Sequence, residues 1–151
     1  MRRITLLFGL AFLFFFTGNI SGQGVVWHEW EDGYKKAKEE NKIILLDAYT
    51  EWCGWCKVMD QKTYTVKEVK DKIQENFVAI KLNPELSGTY EFENQSYSGK
   101  ELIKRLAYNK FRGYPTTFFI FPDTGKSYME IGYIEAAPFS NILDKYAGMK
   151  N

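Results

Sequence analysis

Apolar and polar positions along the first half of this chain change from a helical pattern to a strand pattern. Residues 30–41 are rich in charge, but Trp30, Tyr34 and Ala37 recur at helical spacing, which predicts an amphipathic helix. Residues 42–49 follow as an almost continuous apolar run, as expected for a strand that is buried on both faces. A helix followed directly by a buried strand is typical of an α/β protein.

The same alternation continues to the C-terminus. The spacing of apolar residues predicts a helix ending near residue 63, a helix over 66–77, strands over 77–82, 116–121 and 127–133, and a helix over 139–146. A turn at Pro122–Gly125 separates the last two strands and makes them a hairpin. The order implies an α/β fold in which helices flank a central mixed β-sheet.

The N-terminus has the organisation of a secretory signal peptide. Arg2 and Arg3 precede an apolar run over residues 6–16, and residues 17–22 are mostly small and polar. We therefore expect residues 1–22 to be a signal peptide and the protein to be exported. If the segment is not cleaved, it would tether the domain to a membrane, although the run is short for a spanning helix.

Charge excludes some classes of partner. Without residues 1–22 the chain has 18 basic and 19 acidic side chains, so nothing favours nucleic acid or an anionic membrane surface. We find no repeat or linker, and predict one domain over residues 23–151 that acts as a monomer. Residues 84–99, which contain Tyr90, Phe92 and Tyr97, form either a surface loop or small hairpin inserted in that domain, or a partner-docking element.

The two cysteines of the chain lie in the segment Trp52-Cys53-Gly54-Trp55-Cys56-Lys57. A zinc site needs four ligands, and His28 is the one histidine that could join the two thiols. A purely structural disulfide closing so small a loop would stabilise the fold by only about 2 kcal/mol. Two thiols at this spacing, with the first at the start of a helix, favour a redox-active pair that needs neither metal nor organic cofactor.

Several segments together resemble the thioredoxin superfamily over residues 27–148. Residues 45–57 resemble its strand and active-site segment, with an aspartate six residues before the first cysteine. Residues 81–83 resemble the strand whose lysine lies near that aspartate, and residues 113–117 resemble the cis-proline loop. Gly54-Trp55 replaces the Gly-Pro of thioredoxin proper, and the stretch 84–100 is longer than its counterpart. The resemblance implies a thioredoxin fold.

The resemblance also implies roles for individual residues. Cys53, at the N-terminus of its helix, is the expected nucleophile, because the helix dipole favours its thiolate. Cys56 would then resolve the mixed disulfide. Asp47 would accept the proton of Cys56, although an acid at the end of a strand could instead reach solvent. Lys81 is either the charge partner of Asp47 or a solvated lysine.

The proline loop and the tryptophans are the expected substrate-binding residues. Pro115 could be an ordinary loop proline, but the resemblance implies a cis peptide bond that places the Tyr114 backbone as an edge for a substrate peptide. Trp52 and Trp55 flank the thiols, and Trp55 is expected to contact partners or to shield the disulfide.

The sequence therefore predicts an exported, periplasmic thiol–disulfide oxidoreductase of the protein-disulfide reductase type. Its expected partners are cysteine-containing exported proteins and a membrane or periplasmic electron donor. The alternative is a non-catalytic, chaperone-like module that uses the same face to bind clients.

Overall fold

The structure is a computed structural model that describes residues 24–150, so the predicted signal peptide at 1–22 lies outside the described residues. Within that range the strands are β1 (Trp27–His28), β2 (Ile43–Ala48), β3 (Phe77–Leu82), β4 (Tyr90–Phe92), β5 (Gln95–Tyr97), β6 (Thr116–Phe121) and β7 (Lys126–Ile131). The helices are α1 (Trp30–Glu39), α2 (Gly54–Lys62), α3 (Lys67–Asn76), α4 (Gly99–Leu106) and α5 (Ala136–Gly148). None of these helices is both long and apolar enough to cross a bilayer.

The central sheet has five strands in the order β1-β3-β2-β6-β7. Strand β3 runs parallel to β1 and β2, whereas β6 is antiparallel to β2 and to β7. The predicted mixed sheet is therefore confirmed, and β2 lies at its centre. In the register of these strands, Asp47 of β2 has Lys81 of β3 on one side and Thr117 of β6 on the other.

Helices cover both faces of the sheet, because β2 is apolar on both sides. Ile44 and Leu46 point into a core shared with α1 and α4, whereas Leu45 points into a second core shared with α3, α5 and the end of α2. Side chains alternate along a strand, so Asp47 lies on the same face as Leu45. That face also holds Met59 of α2 and the following Tyr64.

Helix α4 was not predicted from the sequence, although its signals are present. The Ser98 hydroxyl accepts a hydrogen bond from the Glu101 backbone N–H, and the Glu101 carboxylate accepts one from the Ser98 N–H, which together form a capping box. Leu102, Ile103 and Leu106 then bury one face of the helix. Helix α5 begins three residues before the predicted start, because Pro138 lies in the first turn, where a helix does not need its N–H.

Residues 84–99 contain the hairpin β4–β5, which packs against the body of the domain. Phe92 is fully buried, with ring centroids 6.0 Å from Trp30 and 5.9 Å from Tyr34. The Trp30 indole N–H donates to the Glu91 carbonyl at 3.0 Å. The hairpin thus contributes to the core on the α1 side of the sheet.

Candidate active site

The two cysteines lie where β2 leads into α2. Cys53 is the N-cap of α2, and its backbone N–H donates to the Thr50 carbonyl. Cys53 and Cys56 form a disulfide, and the Cys56 backbone N–H donates to Cys53 Sγ at 3.1 Å. In the reduced pair, the same N–H and the positive end of the helix dipole would stabilise a thiolate on Cys53. Both cysteines are nearly buried, at 5% and 3% exposure.

Asp47 is a buried carboxyl on the face of the sheet that α2 covers. Its side chain is 2% exposed and Oδ1 has no hydrogen-bond partner. The carboxyl therefore does not reach solvent, which was the alternative expected for an acid at the end of a strand. Burial raises the pKa of Asp47, the charge of Lys81 opposes this rise and the negative charge of Asp60 adds to it, which together give a pKa of about 7. A carboxyl with that pKa exchanges its proton near neutral pH.

Lys81 is held between two carboxylates. Its Nζ lies 2.6 Å from both carboxylate oxygens of Asp60, but 3.7 Å from Asp47 Oδ2. The same Nζ lies 4.9 Å from the ring centroid of Tyr49 and 5.4 Å from that of Trp27. Lys81 is therefore a charge partner of Asp47, but its shorter contacts are with Asp60, which leaves the buried carboxyl only partly compensated.

Trp52 and Tyr114 form an aromatic pair next to the disulfide. Their rings meet edge to face at 5.9 Å, and the Trp52 indole N–H donates to Glu85 Oε2 at 2.9 Å. Trp52 is nevertheless 68% exposed. Glu85 therefore fixes the orientation of an indole that remains open to a partner.

Trp55 is the second exposed tryptophan of the motif, at 61% exposure. It stacks on Tyr133, with ring centroids 5.4 Å apart and an interplanar angle of 24°. Tyr133 follows β7, so Trp55 bridges the active-site helix and the end of the sheet. Trp52 and Trp55 are sequence neighbours of the two cysteines, and their exposed rings give the disulfide a large apolar surround.

The proline loop completes the site. The Tyr114–Pro115 peptide bond is cis, as the resemblance implied. Pro115 is buried and precedes β6, whose first residue Thr116 pairs with Ala48 at the end of β2. The register of β2 and β6 thus places the loop beside the segment that carries the cysteines.

Sequence reasoning missed four contributors to this site: Asp60, Tyr64, Glu85 and Tyr133. Asp60 follows Cys56 by four residues and so lies on the same face of α2, a spacing visible in the sequence. Tyr64 is buried, and its hydroxyl lies 3.5 Å from Thr117 Oγ1. Burial and the nearby charge of Asp47 raise its pKa well above 10, so it remains a neutral phenol. No local pattern indicated Glu85 or Tyr133.

No group of three or more potential metal ligands is clustered among residues 24–150. His28 lies in β1, on the far side of β3 from β2, and the structure does not bring it into the site.

Fold and site together define a thioredoxin-fold protein with a Cys-x-x-Cys disulfide at a helix N-terminus. The family model Thioredox_DsbH, described as "Protein of unknown function, DUF255", matches residues 16–145. The chain belongs to this family.

Known proteins similar to this chain include curated relatives and solved structures. Rat spermatogenesis-associated protein 20 is 34% identical over 62 residues, 40% of this chain and 8% of the relative. The thiol:disulfide interchange protein DsbD of Actinobacillus pleuropneumoniae is 29% identical over 114 residues, 74% of this chain and 17% of the relative. The chain thus spans less than a fifth of either relative. A solved DsbH oxidoreductase has the same fold, with a TM-score of 0.62 and 18% identity, over 88% of this chain and 91% of that one.

Proposed function

We propose that this protein is an exported thiol–disulfide oxidoreductase that acts through Cys53 and Cys56 as a reductant or electron relay. The observation that carries the proposal is the Cys53–Cys56 disulfide at the N-terminus of α2, on the side of the sheet that holds a buried carboxyl. The family and the similarity to DsbD, whose name denotes thiol:disulfide interchange, support disulfide exchange as the chemistry.

The reaction begins with the reduced pair. The Cys53 thiolate attacks one sulfur of a partner disulfide, forms a mixed disulfide and releases the other partner sulfur as a thiolate, which takes up a proton. Cys56 then loses its proton and attacks the Cys53 sulfur, releasing the second partner thiol. The partner has gained two electrons and two protons, and the Cys53–Cys56 disulfide has formed again.

Asp47 is the proposed acceptor of the Cys56 proton. Cys56 belongs to α2, and Asp47 lies on the face of the sheet that α2 covers. A general base works best when its pKa is near the working pH, and burial raises the pKa of Asp47 to about 7. Lys81 and Asp60 set how much of that carboxyl's charge is compensated.

The partners follow from the chemistry and from the predicted export. They are exported proteins with oxidised cysteines, which would be bound by Trp52, Trp55, Tyr114 and Pro115. A membrane or periplasmic donor would return electrons to the Cys53–Cys56 disulfide, and no metal or organic cofactor takes part. The N-terminal sequence, which has the organisation of a signal peptide, supports the proposed periplasmic location.

The reduction potential of the pair tests the proposed direction. Equilibration with glutathione buffers should give a value of about −270 mV, the range of thioredoxin reductants. A value of about −120 mV would make the protein a disulfide donor and contradict the proposal. Cys56→Ser should accumulate a mixed disulfide with a partner, visible by mass spectrometry, whereas Cys53→Ser should accumulate none.

A non-catalytic client-binding module is the competing function. The exposed faces of Trp52 and Trp55 would serve it as well as an enzyme. The double variant Cys53→Ser/Cys56→Ser should lose disulfide exchange completely. If it protects an aggregating client as well as the wild type does, and the wild type shows no reversible exchange, the module is the better description.

A further inference from the structure

A groove of about 390 Å³ lies between α4 and the segment that leads to the cis proline. Its walls are apolar, basic or neutral polar, and the lining contains no carboxylate: it consists of Lys100, Ile103, Lys104, Asn109, Phe111 and Tyr114. None of the functions described above uses α4 or residues 107–113.

The floor of the groove is apolar and continues into the disulfide site. Ile103 is 2% exposed, and the half-buried rings of Phe111 and Tyr114 meet at 5.0 Å. Tyr114 also contacts Trp52, which adjoins Cys53. Tyr114 is therefore a wall shared by the groove and the disulfide site, and a polypeptide bound at one would continue into the other.

The rim of the groove is positively charged. Lys100 and Lys104 are exposed, lie one helical turn apart on α4, and have no carboxylate within 4.0 Å among the described residues. Arg105 pairs with Glu93, Glu101 bonds to Ser98, and Glu85 near Tyr114 accepts a hydrogen bond from Trp52, so these groups do not pair with the two lysines. The two lysines are thus available to a ligand.

This positive charge contrasts with the rest of the molecule. Residues 100–112 contain five basic side chains and one acidic one, whereas the remainder of residues 24–150 contains 13 basic and 18 acidic side chains. A long polyanion or an anionic bilayer would also contact the rest of the molecule, where acidic side chains outnumber basic ones. A short acidic segment with an apolar side chain would contact only the basic rim and apolar floor of the groove.

We propose that this groove binds an acidic segment of the partner polypeptide, next to the cysteine that reacts with Cys53. An apolar side chain of that segment packs on Ile103, Phe111 and Tyr114, and its carboxylates lie against Lys100 and Lys104. The inference rests on the proposed function and adds a substrate class to it. Partners with acidic residues near their disulfide are reduced faster than partners with basic ones.

Kinetics with peptide mixed disulfides test the proposal. In each peptide one cysteine is disulfide-bonded to 5-thio-2-nitrobenzoate. A Leu flanked by either Glu or Lys residues lies on the N-terminal side of that cysteine in one version and on its C-terminal side in the other. The Cys53 thiolate attacks the peptide sulfur and releases the coloured thiolate, after which Cys56 releases the peptide thiol. Of the two Glu peptides, the one that places its Leu in the groove reacts faster. At low ionic strength it should react about tenfold faster than the Lys peptide with the same placement, and salt should reduce the difference.

Charge reversal identifies the groove as the source of that preference. Lys100→Glu/Lys104→Glu should abolish or invert the preference, and Lys100→Gln/Lys104→Gln should reduce it. The matched control, Lys62→Glu/Lys126→Glu, makes the same charge change at exposed lysines outside the groove and should retain the preference. An equal loss in the control, or no preference in the wild type, would overturn the proposal.

A binding measurement separates this inference from the proposed function. The Glu peptide with its cysteine replaced by serine should shift the backbone NMR signals of Ile103, Asn109 and Phe111 in the oxidised wild type. It should not shift them in Lys100→Glu/Lys104→Glu. These shifts need no thiol chemistry. If they appear in a protein that shows no disulfide exchange, the proposed oxidoreductase activity is refuted, but binding of the acidic peptide to the groove is not. If the lysines instead govern binding to phosphatidylglycerol vesicles or formation of a dimer, the assignment to a peptide is wrong.

Discussion

Replacing Asp47 with asparagine should raise the free energy of unfolding, but only above about pH 4, where the carboxyl of the unfolded chain ionises. The carboxyl is 2% exposed and its Oδ1 has no hydrogen-bond partner, so its charged form is poorly solvated. Asparagine has nearly the same shape and carries no charge. Lys81 would keep its 2.6 Å contacts to both carboxylate oxygens of Asp60, so the substitution leaves no cation unpaired.

The size of the effect follows from the pKa of Asp47. Burial raises this pKa from its ordinary value near 4 to about 7, and each unit by which the pKa differs between the folded and the unfolded chain corresponds to about 1.36 kcal/mol. Between about pH 4 and pH 7 the folded protein binds the proton that the unfolded chain has lost. Its free energy of unfolding therefore falls as the pH rises. Above pH 7 the full cost, about 4 kcal/mol, is present.

Urea unfolding of the oxidised proteins at pH 4, 6 and 8, followed by tryptophan fluorescence, measures this cost. Asp47→Asn should match the wild type at pH 4 and exceed it by up to about 4 kcal/mol at pH 8. The control Asp71→Asn changes an exposed acid on α3 and should alter stability by less than about 0.5 kcal/mol at either pH.

A stability difference that does not change with pH would refute the reasoning, since it would mean that Asp47 ionises equally in the folded and unfolded chain. The carboxyl carbon of Asp47 gives an independent result by NMR. Its chemical shift should titrate with a midpoint near 7, and a midpoint near 4 would contradict the burial argument.

Three further variants test the surroundings of the site, the hairpin β4–β5 and the unpredicted helix α4. Asp60→Asn should lower the pKa of Asp47, because it removes a negative charge and frees Lys81 to pair with the buried carboxyl; the same NMR titration measures the change. Phe92→Ala should lower the free energy of unfolding by about 3–5 kcal/mol, because a fully buried ring is lost from the hairpin, and an effect below about 1 kcal/mol would show that the hairpin is peripheral. Ser98→Ala should cost about 1 kcal/mol in urea unfolding, because α4 loses its cap, and no change would mean that the capping box contributes nothing.

The parts of the fold that were predictable are those whose signal is local. Strands β2, β3 and β6 are predominantly apolar, because each is buried on both faces of a sheet. Helix α4 was missed although Ser98 and Glu101 form a capping box and its leucines recur at helical spacing. Its first residue, Gly99, falls within the stretch 84–99, whose polar composition predicts a loop or small hairpin and hides the start of the helix.

The electrostatics of the site depend on contacts that no local pattern contains. Asp47 and Lys81 are neighbours because β2 and β3 pair in one register, and a shift of one residue would place Lys81 on the opposite face. Asp60 reaches Lys81 because α2 packs on the face of the sheet to which Lys81 points. The sequence indicated that Lys81 could be the partner of Asp47, but not that a second acid would compete for it.

The cost of the Asp47 charge to the stability of the fold and the proposed role of Asp47 as a base have the same physical origin. An exposed aspartate would have a pKa near 4 and would be a poor base for a thiol near neutral pH. Burial alone would keep the carboxyl protonated, whereas full pairing with Lys81 would keep it ionised. With Lys81 Nζ 3.7 Å from Asp47 and 2.6 Å from Asp60, the buried carboxyl lies between these limits. A variant that stabilises the fold above pH 7 by removing this charge should therefore also slow the step in which Cys56 loses its proton.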